Sequence, residues 1–146
     1  MNSYQKYKEN SVYSMSSWEL LDLLYEAAIG RLRKADLALD DKEYTLFDDC
    51  LRRASNIVRY LIDILDMKQP ISYDLRRIYD YLILDISKVK AGREREQKEI
   101  GRISHILSEV KDAFEQAARE VSDVHMTDRR LSLIHISEPT RRVVIS

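Results

Sequence analysis

The chain has 146 residues, of which 45% are apolar and 34% are charged, and its 24 basic and 25 acidic side chains give a formal net charge of −1. A chain of this size can bury one core, and its balanced charge provides no general attraction for nucleic acid. Three glycines and two prolines are too few for the many tight turns of a β-sandwich or barrel. The single cysteine, Cys50, can form no disulfide within the chain, which favours a reducing compartment. These features predict an all-α protein located in the cytoplasm.

Residues 1–15 are predicted to form an N-terminal arm. They are polar apart from a few large apolar groups that lack helical spacing, namely Tyr4, Tyr7, Val12, Tyr13 and Met15. Residues 1–10 lack the apolar stretch of a secretory signal, and no part of the chain approaches the roughly 18 consecutive apolar residues of a membrane span. We therefore expect neither a secretory signal nor membrane insertion.

Two helices are predicted in the first half of the chain. Ser16 and Glu19 form a capping-box pattern, so helix 1 is expected over about residues 17–39. Helix 2 is expected over about residues 43–66. Apolar residues in both recur every three or four positions, as in one face of a helix; they are Leu20, Leu24, Ala28, Leu32, Ala35 and Leu39, followed by Phe47, Cys50, Leu51, Ala54, Ile57, Val58, Leu61, Ile62 and Leu65.

Two more helices are predicted in the second half. Helix 3 is expected over about residues 72–90, with Gly92 as the residue that follows its C-terminal cap. Helix 4 is expected to begin within the charged run 93–99 and to continue to about residue 124. Its apolar positions are spaced as heptads, namely Ile100, Ile103, Leu107, Val110, Phe114, Ala117 and Val121.

Short connectors between helices of this length place consecutive helices antiparallel. We therefore predict an antiparallel up-down bundle of four main helices over residues 16–125. The arm at residues 1–15 precedes it, and a tail at residues 126–146 follows it.

Residues 131–146 are predicted not to be native. Residues 131–141 read Leu-Ser-Leu-Ile-His-Ile-Ser-Glu-Pro-Thr-Arg, which matches the in-frame translation of a DNA adapter widely used in transposase-based sequencing. Such a match over consecutive codons is hard to obtain by chance, so we interpret this stretch as adapter read-through and exclude it from the fold prediction. The alternative is a genuine apolar tail that ends in Val143, Val144 and Ile145.

No catalytic residue, metal site or cofactor site is predicted. Di-iron bundles require Glu-x-x-His on two helices, but Arg102 precedes His105 by three residues and Ser122 precedes His125 by three. A Gly-rich phosphate loop is also absent from the sequence. The enzymatic alternative is a phosphotransfer bundle in which His105 carries the phosphate. Glu109, one helical turn later, would repel that phosphate.

Several sequence blocks resemble a known family. They are Asn10-Ser11-Val12, Met15-Ser16-Ser17-Trp18-Glu19-Leu20, Leu23-Leu24-Tyr25-Glu26-Ala27-Ala28-Ile29, Leu51-Arg52-Arg53-Ala54-Ser55-Asn56-Ile57-Val58-Arg59-Tyr60-Leu61 and Leu75-Arg76-Arg77-Ile78-Tyr79-Asp80-Tyr81. In this order, and over about residues 4–122, they are similar to the flagellar secretion chaperone family FliS. The chain departs from the family pattern at Ser17, Ala27 and Asp85, among other positions.

The resemblance implies a non-enzymatic bundle that works in the cytoplasm. Members of the family bind the C-terminal segment of newly made flagellin, prevent its premature polymerisation and deliver it to the flagellar export gate. A disordered amphipathic segment can fold as a helix on a shallow apolar groove, which buries apolar area at about 25 cal/mol per Å². No cofactor is implied.

Apolar residues beside the core stripes are the best candidates for such a groove. They are Leu21, Tyr25, Tyr60, Ile64, Tyr73 and Tyr81, which a four-helix core alone is expected to cover poorly. Tyr7 and Val12 of the arm are expected to cap the groove, as the resemblance implies. The alternative function is a structural bundle whose exposed apolar residues form a homodimer or a larger self-associated species.

Overall fold

All regular elements of the described residues are helices. The computed structural model describes residues 17–124, so the arm, the tail and the capping residue Ser16 lie outside the described part. α1 spans Ser17–Asp40, α2 spans Tyr44–Asp63, α3 spans Ile71–Gly92 and α4 spans Lys98–Val124, and a short 3-10 helix, Arg93–Glu96, precedes α4. The prediction of an all-α fold with four main helices is confirmed.

The four helices pack as an antiparallel bundle. α1 packs most extensively against α2 and also against α4, while α3 packs against α2 and closes the bundle against α4. Residues 41–43 join α1 to α2, and residues 64–70 join α2 to α3. Because these connectors are short, consecutive helices run in opposite directions, as the sequence predicted.

α2 ends at Asp63, earlier than the sequence predicted, because the connector forms its own hydrogen bonds. The Asp66 carboxylate accepts the backbone N–H of Lys68 at 3.1 Å, and the Asp66 carbonyl accepts the Ser72 hydroxyl at 2.7 Å. An Asp side chain that bonds to the backbone two residues later favours a turn over a helix. The chain therefore leaves the helix before Asp66 and enters α3 at a fixed angle.

The junction between α3 and α4 also differs from the prediction. Gly92 is the last residue of α3, with a φ of −86°, rather than the residue that follows the cap, and the next residue, Arg93, takes a positive φ of 54°. A Cβ on Gly92 would clash with the Glu96 side chain. Glycine thus allows the Glu96 side chain to approach the turn closely, and α4 begins at Lys98, after most of the charged run.

Polar contacts fix this end of the bundle. The Arg93 guanidinium lies over the Tyr44 ring, 4.1 Å from its centroid, and the Tyr44 hydroxyl donates to Glu94 Oε2 at 2.7 Å. Gln97 Nε2 donates to the Asp40 carboxylate at 2.7 Å. These contacts join the α3–α4 junction to the ends of α1 and α2, and the cation–π contact offsets part of the strain at Arg93.

The core lies where the four helices meet. Ile100, Ile103, Leu107 and Phe114 of α4 are buried and Val110 is partly buried, which confirms the predicted heptad face over this range. The largest fully buried side chains are Leu21, Tyr25, Leu32, Leu39, Phe47, Leu51, Leu61, Ile64, Tyr79, Leu82, Ile103 and Leu107. Full burial of one such aliphatic side chain contributes about 1.5–3 kcal/mol.

Two tyrosines form a hydrogen-bonded pair within the core. The hydroxyls of Tyr25 on α1 and Tyr79 on α3 are hydrogen-bonded to each other, and the Tyr25 ring stacks on Phe114 of α4 at a centroid distance of 6.3 Å. Burial raises the pKa of Tyr79 to about 12 and raises the pKa of Tyr25 further, since ionised phenols are poorly solvated there. The pair joins three helices with both rings neutral.

Candidate functional site

Three of the predicted groove residues belong to the core instead. Leu21, Tyr25 and Ile64 are buried, so the prediction that they lie beside the core is wrong. Tyr25 faces the bundle axis because its ring contacts Tyr79 and Phe114, and Leu21 lies one turn earlier on the same face. Ile64 follows α2 directly, and its N–H still bonds to the Tyr60 carbonyl at 3.1 Å, which keeps it on the buried side.

The other three predicted groove residues have different exposures. Tyr60 is partly buried against the core, and burial, together with the nearby Asp63 carboxylate, raises its pKa. Tyr73 is 57% exposed and Tyr81 is 49% exposed. Only these two of the six residues therefore present an aromatic ring to solvent, and both lie on α3.

Leu84 extends the exposed apolar surface of α3. It is 54% exposed and lies three residues after Tyr81, so the two side chains share a face of the helix. We call Tyr73, Tyr81 and Leu84 the outer face of α3. Leu84 was not predicted as a groove residue, although a helical projection places it about 200° from the stripe residue Leu82.

Arg102 of α4 fixes one edge of the outer face. Its guanidinium lies 5.5 Å from the Tyr81 ring centroid and donates to the Tyr81 hydroxyl at 3.1 Å. The same guanidinium pairs with the buried Asp85 and with Glu99, at 2.6 Å from the latter. The hydrogen bond to Asp85 and that to Glu99 raise the pKa of Arg102. The Tyr81 ring is therefore held in place by a cation that α3 and α4 share.

A cleft lies between α2 and α3, next to the outer face. Its volume is about 200 Å³, and we call it the α2–α3 cleft; it is lined by Leu51, Arg52, Ser55, Asn56, Arg59, Ile83, Ile86, Ser87 and Lys90. Leu84 of the outer face lies three residues before Ser87 on the same side of α3. The cleft thus combines an apolar floor with polar and cationic walls.

The predicted capping residues of the arm, Tyr7 and Val12, lie outside the described residues, so their role stays a prediction.

The remaining predictions concern His105, metal ions and the membrane. The His105 side chain is 70% exposed, and its Nε2 lies 3.5 Å from Glu109 Oε2. In a phosphotransfer bundle, the Glu109 carboxylate would therefore repel a phosphate group on His105. Within residues 17–124, no group of His, Cys, Asp and Glu side chains is arranged to hold a metal ion. In the same range, no helix is both long and apolar enough to cross a membrane.

The fold and this surface define a class of protein: an antiparallel helical bundle with an exposed aromatic face and an adjacent cleft. The sequence model of the family described as "Flagellar protein FliS" matches residues 1–121. The chain belongs to the flagellar protein FliS family, which confirms the resemblance found in its sequence blocks.

Two characterised relatives are similar to most of the chain. The flagellar secretion chaperone FliS of Bacillus subtilis is 26% identical over 125 residues, which cover 85% of this chain and 92% of the relative. The flagellar secretion chaperone FliS of Salmonella typhimurium is 26% identical over 117 residues, which cover 78% of this chain and 85% of the relative. Both alignments thus span nearly the whole length of the relative.

Proposed function

We propose that this protein is a cytoplasmic flagellar secretion chaperone. It binds the C-terminal segment of flagellin, prevents premature polymerisation and delivers the segment to the export gate, with no catalytic step. Membership of the family and the names of both relatives support this function. The structural observation that carries it is the outer face of α3, where Tyr73, Tyr81 and Leu84 stay exposed beside a well-packed core.

The outer face suits an amphipathic helical segment. A tyrosine ring buries a large apolar area while its hydroxyl remains hydrated, so Tyr73 and Tyr81 tolerate both the free and the bound state. Contact with a docked helix returns about 25 cal/mol for each Å² of apolar area removed from water. This gain has to exceed the entropy lost when a disordered segment becomes helical. A face of several large side chains meets that requirement better than one exposed residue.

Binding is tested by titration of the protein with a fluorescent peptide of the flagellin C-terminal segment. We expect a saturable complex of near 1:1 stoichiometry. The double substitution Tyr73→Ser/Leu84→Ser should weaken it by about tenfold or more, since it removes two apolar contacts. The matched control Leu23→Ser/Leu37→Ser changes two exposed leucines of α1 and should alter the affinity less than about twofold. Absence of a saturable complex would contradict the function.

The arm is the second part of this proposal. Tyr7 and Val12 cover the groove beside α2 and α3 in the free protein and leave when the flagellin segment arrives. The support is compositional, since five large apolar groups on an otherwise polar arm call for an apolar surface to cover. A cap of this kind lowers self-association and reduces apparent affinity by the uncapped fraction.

Deletion of residues 1–13 tests the cap. We expect more aggregation in the absence of peptide and equal or tighter binding of the flagellin segment. Light scattering measures the first effect and fluorescence anisotropy the second. If the deletion abolishes binding while circular dichroism shows an intact bundle, the arm is part of the binding site and the displacement idea is wrong.

Self-association is the second candidate function, and α1 favours it. Leu23 and Leu37 are exposed and lie fourteen residues apart, with Gly30 midway between them on the same side of the helix. A Cβ on Gly30 would meet open space, so another helix can approach closely there. Sedimentation equilibrium without peptide distinguishes the candidates: self-association requires a mass that rises with concentration and that Leu37→Glu abolishes.

A further inference from the structure

The α2–α3 cleft carries positive charge at both of its ends. Arg59 lies near the connector end of α2, whereas Lys90 lies near the far end of α3, so the antiparallel packing places these cations at opposite ends of the cleft. Arg52 lies two helical turns before Arg59 on the same helix. Seven residues of helix span about 10 Å, which sets the separation of the cations along α2.

No carboxylate from residues 17–124 lines this cleft. Arg52 is paired with Asp49, whose pKa is lowered chiefly by its hydrogen bond to Arg53 at 2.9 Å. Among the described residues, Arg59 and Lys90 form no ion pair. Two unpaired cations and one paired cation therefore face the same small volume.

The rest of the lining favours a helical occupant. Ile83 is only partly buried and offers apolar area to a docked side chain, whereas Leu51 and Ile86 are buried. Leu84 of the outer face adjoins the cleft, which makes the apolar surface continuous from one to the other. A helix that docks over Leu84 and the cleft would place one of its edges against Arg59 and Lys90.

We propose that the α2–α3 cleft recognises side-chain carboxylates on one edge of an amphipathic helix that docks on α2 and α3. The proposal rests on the proposed function, which supplies the flagellin segment as that helix. Charge-assisted contacts with carboxylates are the strong interactions that an arginine and a lysine can form. Cations at both ends of the cleft require two carboxylates, whereas a polypeptide has a single C-terminal carboxylate, so the source is side chains.

Recognition of carboxylates would let the protein discriminate between amphipathic segments, which apolar contact alone does not. Many amphipathic helices would bind an exposed aromatic face with similar strength, since burial of apolar area is not directional. Cations at fixed positions favour segments with acidic edges and disfavour segments with basic edges. The cleft therefore favours amphipathic segments with an acidic edge and selects the edge that faces α2 and α3.

The test is a charge reversal at both unpaired cations. Arg59→Glu/Lys90→Glu is compared with Arg33→Glu/Lys34→Glu, which reverses two exposed cations of α1, and both proteins are titrated with the fluorescent flagellin C-terminal peptide. We expect the cleft variant to bind about tenfold or more weakly and the control to change less than about threefold. The loss should shrink at about 0.5 M salt, because exposed charges are screened there.

A second peptide makes the test specific for carboxylates. In it, every Asp and Glu is replaced by Asn or Gln. We expect this peptide to bind the unmodified protein about tenfold more weakly than the parent peptide does, and to bind the cleft variant and the unmodified protein with similar affinity. Circular dichroism confirms that both variants stay folded, as expected for exposed positions.

The outcomes separate this inference from the proposed function. If the parent peptide binds the unmodified protein but neither the cleft variant nor the neutral peptide differs from its control, charge recognition is wrong and the function stands. If the parent peptide does not bind the unmodified protein at all, both are wrong. If the cleft variant changes the sedimentation mass and leaves peptide affinity unchanged, the occupant is a second copy of the chain and the proposal is overturned.

Discussion

The two faces of α3 differ in what they contribute. Leu82 is fully buried and Leu84, two residues later, is 54% exposed. Tyr79 and Tyr81 repeat this contrast, since the first pairs with Tyr25 in the core and the second lies under Arg102 at the surface. Side chains two positions apart on a helix point in nearly opposite directions. The inner face of α3 thus packs into the core, while the outer face is the surface to which we assign binding, and substitutions can address each face alone.

The largest expected effect is on the inner face. Leu82→Ala leaves a cavity where four helices meet and should lower the free energy of unfolding by about 2–5 kcal/mol. Urea denaturation followed by circular dichroism measures this change. A loss below about 1 kcal/mol would mean that α3 is not held by its inner face, and the contrast between the faces would fail.

The buried tyrosines predict the next effect, which depends on pH. Burial raises the folded-state pKa of Tyr79 to about 12, above the ordinary value of 10.0, and raises the pKa of Tyr25 as well. The unfolded chain therefore releases these protons first, so their contribution to stability is complete below about pH 10 and is lost as the pH rises towards the folded-state values. Between about pH 9 and about pH 11 the two groups together should cost about 2–3 kcal/mol.

The control for this pH dependence is Tyr25→Phe/Tyr79→Phe. Every other tyrosine and lysine titrates in both proteins, so the difference between their stability curves isolates the buried pair. We expect the double variant to lose less stability over this interval. Parallel curves would show that the two hydroxyls ionise as readily in the folded state as in the unfolded chain.

The same pair supports a smaller effect at neutral pH. Tyr79→Phe removes one hydroxyl and leaves that of Tyr25 buried without its partner, which should cost about 1–2 kcal/mol. Tyr25→Phe should act similarly. The double variant removes both polar groups, so its free energy of unfolding should be no lower than that of either single variant. Additive losses in this double-mutant cycle would mean that the two hydroxyls do not depend on each other.

The sequence predicted the helices and the face of α4 that packs into the core. Regular apolar spacing carries this information directly, as at Ile103 and Leu107. The same spacing did not predict the burial of Leu21 and Tyr25. α1 packs against α2 and α4 and reaches α3 through Tyr25, so it buries a wider arc than one apolar stripe defines.

Contacts between distant residues account for the other differences. The early end of α2 depends on the turn at Asp66, which includes a bond to Ser72 on the next helix. The ion pair between Asp85 and Arg102 joins two helices, and no local pattern in the sequence indicates it. The same reason applies to the α2–α3 cleft, whose cations come from two helices that only the packing brings together. The exposure of Tyr73 and Tyr81 could be predicted because both lie off the apolar stripe of α3, which packs one face only.

The smallest expected effect on stability lies on the outer face and completes the contrast. Leu84→Ala removes a side chain that is more than half exposed, so the free energy of unfolding should change by less than about 0.5 kcal/mol. Affinity for the flagellin peptide should nevertheless fall by about fivefold, because the lost contact belongs to the docked state. Leu37→Ala on α1, exposed to a similar degree, is the control and should change neither quantity. A stability loss at Leu84 as large as that at Leu82 would show that both faces of α3 belong to the core, whereas unchanged peptide affinity would remove Leu84 from the binding surface.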